Sequence, residues 1–153
     1  MASSVYLIMS EIVGVIYPVP SKFVDRLFNG KANVFVKYVA HNTTKLVPKH
    51  RVIFYASHGS KKLVGEGTLE RVEFLSPETV IARYKERLFL NESEFYAYVG
   101  SSPSRTPSKL MLTLVLNKLS KYPNPVDYGR PITMAGQYLG VNEYNSLIGK
   151  NKG

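Results

Sequence analysis

Residues 51–74, RVIFYASHGSKKLVGEGTLERVEF, decide the fold of this chain. Their content of Val, Ile, Phe and Tyr predicts two β-strands, 52–57 and 63–74, joined by a polar, basic turn. Gly65 and Gly67 interrupt the second strand, which indicates a bulge or a sharp coil at that point. Because a small barrel needs such bends to close, the segment predicts a curved, mostly antiparallel sheet.

Three further apolar patterns, at residues 12–17, 34–40 and 110–116, predict additional strands. The apolar segment 1–20 lacks a basic beginning and is interrupted by Glu11, so we interpret it as two short core strands and not as a signal peptide. The chain also lacks an uncharged apolar run of about 18 residues, so no membrane association is expected.

Helix signals are brief and lie between the strands. Ser21 caps a first turn that ends at Gly30, and Ser76 followed by Pro77 opens a second helix. Asn91 with a glutamate three residues later is typical of a capping box for a third. The chain is therefore predicted to be mixed α+β and dominated by β-structure.

Composition limits the classes of protein to consider. A length of 153 residues, with 44% apolar and 20% charged residues, suits one globular domain spanning residues 1–153. The chain has no cysteine, which excludes disulfide frameworks, cysteine zinc sites and thiol catalysis and fits a cytoplasmic protein.

Positive charge is concentrated in two blocks. Residues 22–62 hold nine Lys/Arg and one acid, and residues 100–153 hold seven Lys/Arg and two acids, within a net charge of +9. Such blocks attract polyanions, which favours RNA as a partner. The alternative is an ordinary solvated surface. The second block includes a basic loop at 100–108, GSSPSRTPS.

Two stretches resemble families of the PUA-like superfamily. LFNGK at 27–31, followed by VFVK at 34–37, resembles the ASCH pattern, and VIFYAS at 52–57, followed by VGEG at 64–67, resembles the EVE pattern. With RPITMAGQYLG at 130–140, the whole chain resembles an uncharacterised archaeal family of this superfamily. The resemblance implies a PUA-like, mostly antiparallel pseudobarrel with short flanking helices. EVE and the related YTH domains read modified bases, usually through an aromatic cage.

A ligand pocket is predicted at the mouth of this pseudobarrel. Tyr55 and Ser57 lie on one side of their strand, opposite Phe54, so a core-facing Phe54 would turn them to solvent or to a cleft. There Tyr55 would stack on a base while Ser57, His58 and Glu66 bond its edge. The alternative is a half-exposed tyrosine beside ordinary turn residues.

Two further groups complete the candidate site. Arg26, Lys31, Lys37 and Arg51 could converge as a phosphate-binding edge, or Lys37 could simply face solvent from an edge strand. In the segment ITMAGQYLG, Thr133, Gln137 and Tyr138 either read a base edge or belong to a turn that closes the barrel.

Catalysis is the main rival to binding. Small ASCH-type amidohydrolases pair a Lys and a Glu with a Thr nucleophile, and Glu66 could approach Lys31 or Lys37, although no Thr follows Lys31. His41, His50 and His58 lack metal-ligand spacing, so neither a metal nor a cofactor is expected. The sequence therefore favours a non-enzymatic module for RNA or a modified nucleobase or nucleotide. A small hydrolase acting on a modified nucleoside, and an interaction protein whose apolar N-terminal strands form a homodimer edge, remain alternatives.

Overall fold

The computed structural model describes residues 11–101 and 109–152. The strands are β1 (Ile12–Val19), β2 (Val34–Lys37), β3 (Arg51–Ala56), β4 (Leu63–Leu75), β5 (Met111–Val126) and β6 (Gln137–Gly140). The helices are α1 (Ser21–Val24), α2 (Pro77–Tyr84), α3 (Glu92–Val99) and α4 (Val141–Lys152), with 3₁₀ turns at Asp25–Phe28 and Lys85–Arg87. The first of the two core strands expected in 1–20, and all but the start of the loop expected at 100–108, lie outside the described residues.

The strands form one mixed sheet in the order β2-β5-β4-β3-β1-β6. Among the strands described, β1 and β3 run parallel, and the other four neighbouring pairs are antiparallel. This confirms the β-dominated, mostly antiparallel prediction. In the described residues, however, the end strands β2 and β6 are not joined to each other, so hydrogen bonds do not close the sheet into a barrel.

The sheet nevertheless curls until the end strand β2 contacts the distant strands β1 and β3 through side chains. Phe35 of β2 lies with its ring centroid 5.7 Å from that of Tyr17 in β1 and 5.5 Å from that of Phe54 in β3. Neighbouring strands are about 4.8 Å apart, so in a flat sheet β2 and β1, separated by three strands, could not touch. The curl encloses a main core that contains all three rings.

A second, smaller core lies on the other face of the sheet. It includes Ile53, Tyr55 and Leu139, together with Leu147 from α4. Because side chains alternate along a strand, Ile53 and Tyr55 face this second core while Phe54 faces the main one. Strand β3 is therefore covered on both faces.

The predicted irregularity of β4 is confirmed. The register between β4 and β5 shifts between Leu63 and Gly65 and again between Glu66 and Thr68. A side chain at Gly65 would collide with the ring of Phe28 and with the backbone oxygen of Ser120. Glycine therefore lets the 3₁₀ turn after α1 and strand β5 approach β4 closely.

The predicted caps of α2 and α3 are also present. Thr79 N donates to Ser76 Oγ over 3.2 Å, and Pro77 occupies the first turn of α2. Asn91 and Glu94 form the reciprocal capping box of α3. At α1 the cap position falls on Pro20, one residue before Ser21. Strand β6 and helix α4 were not predicted. None of the helices in the described parts of the chain is both long enough and apolar enough to cross a membrane.

Candidate functional site

A cleft of about 310 Å³ opens between the end of β1, strand β2 and helix α3. Its walls are mainly apolar and include the rings of Phe23, Phe35 and Phe89, with Lys37 and Glu94 as charged groups. We call it the aromatic cleft. A space of this size, apolar with few polar groups, matches the usual character of small-molecule sites, about 300–1,000 Å³.

A second cleft of about 360 Å³ adjoins the first. Tyr17, Tyr38 and Tyr138 line it, so we call it the tyrosine cleft. Lys37 and Met134 line both clefts. The two clefts are therefore neighbouring compartments on either side of these two residues.

Lys37 is the most unusual charged residue of the site, because it is only 8% exposed. Its Nζ donates to the backbone oxygen of Met134 and lies 4.5 Å from the centroid of the Tyr17 ring. The interpretation of Lys37 as a solvent-facing residue of an edge strand is thus wrong. Lys37, at the end of β2, is instead part of the wall between the two clefts.

Three other lysines sit on aromatic rings at the rims of the clefts. Lys22 Nζ lies 4.8 Å from the Phe23 centroid, Lys45 Nζ 5.7 Å from that of Tyr138, and Lys109 Nζ 5.4 Å from that of Tyr38. Cation–π contacts hold an ammonium over a ring without cancelling its charge. These three lysines were missed as site residues, although Lys22 and Lys45 belong to the basic block at 22–62.

Arg26 contacts residues that line the aromatic cleft, and its charge is balanced by one of them, Glu94. Its guanidinium contacts the Glu94 carboxylate through two nitrogens, at 2.5 and 3.1 Å, and donates to Phe89 O over 3.2 Å. The hydrogen bond from Arg26 lowers the pKa of Glu94, so this carboxylate stays ionised near neutral pH. Arg26 therefore supports two residues of the wall, Phe89 and Glu94, and its ion pair leaves little net charge for a ligand.

The four predicted basic residues do not converge. Lys31 is exposed just beyond Gly30, and Arg51 starts β3, where its guanidinium donates to Thr68 Oγ1 and lies 3.9 Å from Glu66. Of the four, Lys37 lines the aromatic cleft, and Arg26 lies behind its wall, with its guanidinium carbon 5.2 Å from the centroid of the Phe23 ring.

Glu66 lies on the face of the sheet opposite the clefts. It pairs with Ile53 of β3 and so points toward the second core. Tyr122 and Tyr144 each donate a hydroxyl to its carboxylate over 2.7 Å. The expected approach of Glu66 to Lys31 or Lys37 is therefore wrong, and the carboxylate instead ties α4 and β5 to β4.

The Glu66 carboxylate helps to raise the pKa of the two tyrosines that donate to it. Burial is the largest cause that raises the pKa of Tyr122, and the charge of Glu66 and the hydrogen bond to it raise this pKa further. Burial and the hydrogen bond to Glu66 likewise raise the pKa of Tyr144. Both phenols therefore remain protonated donors at neutral pH.

The expected Tyr55 pocket is also corrected. Tyr55 is only 6% exposed and packs in the second core, in one cluster with Leu147 of α4 and Leu139 of β6. Ser57 and His58 occupy the following turn, with Ser57 Oγ 3.4 Å from His58 Nδ1. These three residues are not among those that line the two clefts.

The segment at 132–140 forms a turn, as one of its two predicted roles requires, and brings one of its three predicted residues to a cleft. Gly136, at a φ of 82°, donates its N–H to Thr133 O over 2.9 Å and forms the turn that carries Met134. Tyr138 lines the tyrosine cleft, and its hydroxyl accepts from Lys45 N over 3.2 Å. Gln137 pairs with Ile16 in the sheet. Tyr138 is thus the member of this group that reaches a cleft.

The described residues contain no group of three or more His, Asp and Glu side chains arranged to hold a metal ion. His50 is engaged locally, since its Nδ1 accepts from Val47 N over 3.2 Å. Burial lowers the pKa of His50, which favours its neutral form.

Comparisons with known proteins agree on the fold. A family model described as a domain of unknown function (DUF365) matches residues 12–141. The uncharacterized protein MJECS03 of Methanocaldococcus jannaschii is 33% identical over 106 residues, which cover 65% of this chain and 98% of that protein. The crystal structure of ASCH from Zymomonas mobilis superposes with a TM-score of 0.74 at 16% identity, covering 90% of this chain and 94% of that one. The N-terminal domain of Staphylothermus marinus McrB matches with a TM-score of 0.54 at 13% identity, covering 93% and 98%.

Proposed function

This chain belongs to the DUF365 family, a domain of unknown function, and we propose that it is a non-enzymatic module that binds RNA, or a modified nucleotide within RNA, at the aromatic and tyrosine clefts. Its ASCH-like fold is compatible with such a role. Because one fold carries many activities, the proposal depends on the chemistry of the clefts.

One observation carries the proposal: two ring-lined clefts adjoin at a buried lysine. Aromatic walls suit the flat faces of bases, which stack on Phe and Tyr regardless of sequence. Lys37 adds a fixed positive charge between them. A neutral apolar metabolite would gain nothing from that ammonium, whereas a nucleotide would use both the rings and the charge.

The rim supports the same ligand class. Lys22, Lys45 and Lys109 surround the clefts and extend the positive charge to solvent. A strand of RNA brings several phosphates, so each lysine would neutralise one of them and release its counterion. Affinity would then come from the rim and selectivity from the clefts.

The test is a titration of labelled single-stranded RNA against the wild-type protein at several salt concentrations. Log K should fall linearly with log salt, by about 0.7 for each phosphate contacted. Lys45→Ala and Lys109→Ala should each weaken binding similarly for all sequences and reduce the salt slope by roughly one contact.

Lys150→Ala is the matched control, because it removes the same charge from an exposed position on α4 outside both clefts. It should leave the affinity within about twofold, as expected for a charge that contacts no phosphate. Absence of binding to micromolar RNA at low salt would refute the proposal. An equal loss for Lys150→Ala would place the interface elsewhere.

A further inference from the structure

The wall between the two clefts combines one group that suits a phosphate, the Lys37 ammonium, with aromatic rings that suit bases. Lys37 Nζ and the Met134 backbone form one part of it. The stacked pair Tyr38 and Tyr98, with centroids 5.6 Å apart, lies beside it: Tyr98 lines the aromatic cleft and Tyr38 the tyrosine cleft. Each compartment therefore has its own aromatic surface, and both border the same ammonium.

This ammonium can serve a ligand without leaving its place. A lysine has three N–H donors, so an incoming oxygen can join Met134 O among the partners of Lys37 or take the place of one of them. Because the side chain is largely shielded from water, its attraction for an anion is stronger than that of a surface lysine. A charge-assisted hydrogen bond at this point would also fix the ligand's position.

From this arrangement we propose that the site reads a dinucleotide step: one base in the aromatic cleft, the adjacent base in the tyrosine cleft, and the phosphate that links them on Lys37. The inference rests on the proposed function and specifies its minimal ligand. A single nucleoside fills only one of the two compartments, about 310 and 360 Å³, and leaves Lys37 without its phosphate.

Met134 is the exposed residue at the junction of the two clefts. Its side chain is 65% exposed although its backbone oxygen is engaged by Lys37. Because Met134 lines both clefts, its side chain would pack against the sugars of a bound step. An unbranched thioether adapts to such irregular surfaces.

The experiment is a competition assay in which short ligands displace labelled single-stranded RNA. The ligands are a nucleoside, a dinucleotide with a natural phosphodiester, and the same dinucleotide with an uncharged methylphosphonate linkage. Each is measured with the wild-type protein, with Lys37→Met, which keeps the length of the side chain, and with the charge control Lys150→Ala.

For the wild type, the natural dinucleotide should compete about ten- to a hundredfold better than its methylphosphonate analogue, the ratio expected for one charged hydrogen bond. Lys37→Met should compress that ratio to about twofold, because the partner of the phosphate is gone. Lys150→Ala should retain the full ratio. The comparison within wild type uses unaltered protein, so it holds even if Lys37→Met fails to fold.

The outcomes separate the two proposals. If labelled RNA does not bind at all, the proposed function fails. If RNA binds but both dinucleotides compete alike, or neither competes better than the nucleoside, the dinucleotide step is overturned while RNA binding stands. A ratio that survives in folded Lys37→Met also overturns it, because the phosphate would then lie on another group.

Discussion

At the scale of single residues, Glu66 shows how the fold satisfies a shielded carboxylate. Such a group costs free energy unless neighbours donate to it. Two phenols supply those donors at 2.7 Å, and Arg51 lies 3.9 Å away. The three partners come from β3, β5 and α4. Glu66 therefore connects elements that are distant in the sequence, which explains a glutamate between Gly65 and Gly67.

Three tyrosines, two of them at this carboxylate, predict that the folded protein loses stability in alkali. The pKa of Tyr122, Tyr144 and, in the main core, Tyr17 is raised in the folded state, in each case first by burial. Above pH of about 10 the unfolded chain releases these protons while the folded chain retains them, so the free energy of unfolding falls as pH rises. Denaturant midpoints measured from pH 8 to 11 should show this decline.

Tyr144→Phe tests the cause of that decline. It should cost about 1 kcal/mol at pH 8, where a hydrogen bond to Glu66 is lost. Its stability should then decline less steeply toward pH 11, because one of the three groups no longer titrates. Tyr96→Phe, at an exposed ring of α3, is the matched control. A Tyr144→Phe curve parallel to that of the wild type would exclude the phenol as a source of the alkaline loss.

Single residues also show where sequence reasoning fails. Alternation correctly separates Phe54 from Tyr55, but it does not tell which face of the strand is covered. Tyr55 is buried because α4, a polar helix with few apolar positions, packs on that face. Lys37 is buried for a similar reason: the turn at Met134, 97 residues away, covers it. Contacts of this range leave no local pattern.

At the scale of elements, the sequence predicts the caps of helices better than the lengths of strands. Strand β5 was expected over 110–116 but extends to Val126 through a polar stretch that includes Pro123 and Pro125. Strand β2 pairs with β5 only from Leu112 to Val115. Beyond that point β5 has, among the described strands, a neighbour only on the β4 side. It is therefore an edge strand there, and edge strands tolerate proline. Whether a proline breaks a strand thus depends on its neighbours.

Helix caps were predictable because they need only a few adjacent residues. Asn91→Ala should lower the free energy of unfolding by about 1 kcal/mol, since it removes the acceptor of the Glu94 N–H. Asn91→Ser, which keeps a capping oxygen, should recover most of that stability. Chemical denaturation of both variants gives the measurement. Equal destabilisation by Ala and Ser would mean that the side chain acts through some contact other than the cap.

At the scale of the whole molecule, the curl of the sheet creates the site. The two clefts lie at the seam between the end strands β2 and β6 that hydrogen bonds leave open, where β2 also approaches β1. A barrel closed by hydrogen bonds would join the end strands β2 and β6 along this seam and leave no room for the clefts. The resemblance correctly implied a curved sheet, but the open seam and its clefts depend on packing between strands that are far apart in the sheet.

Phe35 is the residue that holds this seam together. Its ring contacts Tyr17 of β1, Phe54 of β3 and, with centroids 5.0 Å apart, Phe89 before α3. Phe35→Ala should therefore cost about 3–5 kcal/mol of unfolding free energy, the usual loss when a buried aromatic ring leaves a cavity. That is a large part of the roughly 5–15 kcal/mol that stabilises a typical domain.

Urea denaturation of Phe35→Ala, Phe35→Leu and the exposed-site control Tyr96→Ala measures this contribution. Phe35→Leu refills part of the cavity and should lose less than Phe35→Ala, while Tyr96→Ala should stay within about 0.5 kcal/mol of the wild type. An unchanged m-value would show that the surface exposed on unfolding is the same, so that the loss belongs to the seam. If Phe35→Ala cost less than about 1 kcal/mol, Phe35 would not hold the seam, since a ring buried among three others cannot be removed so cheaply. The curl would then come from the glycine bends of β4 alone.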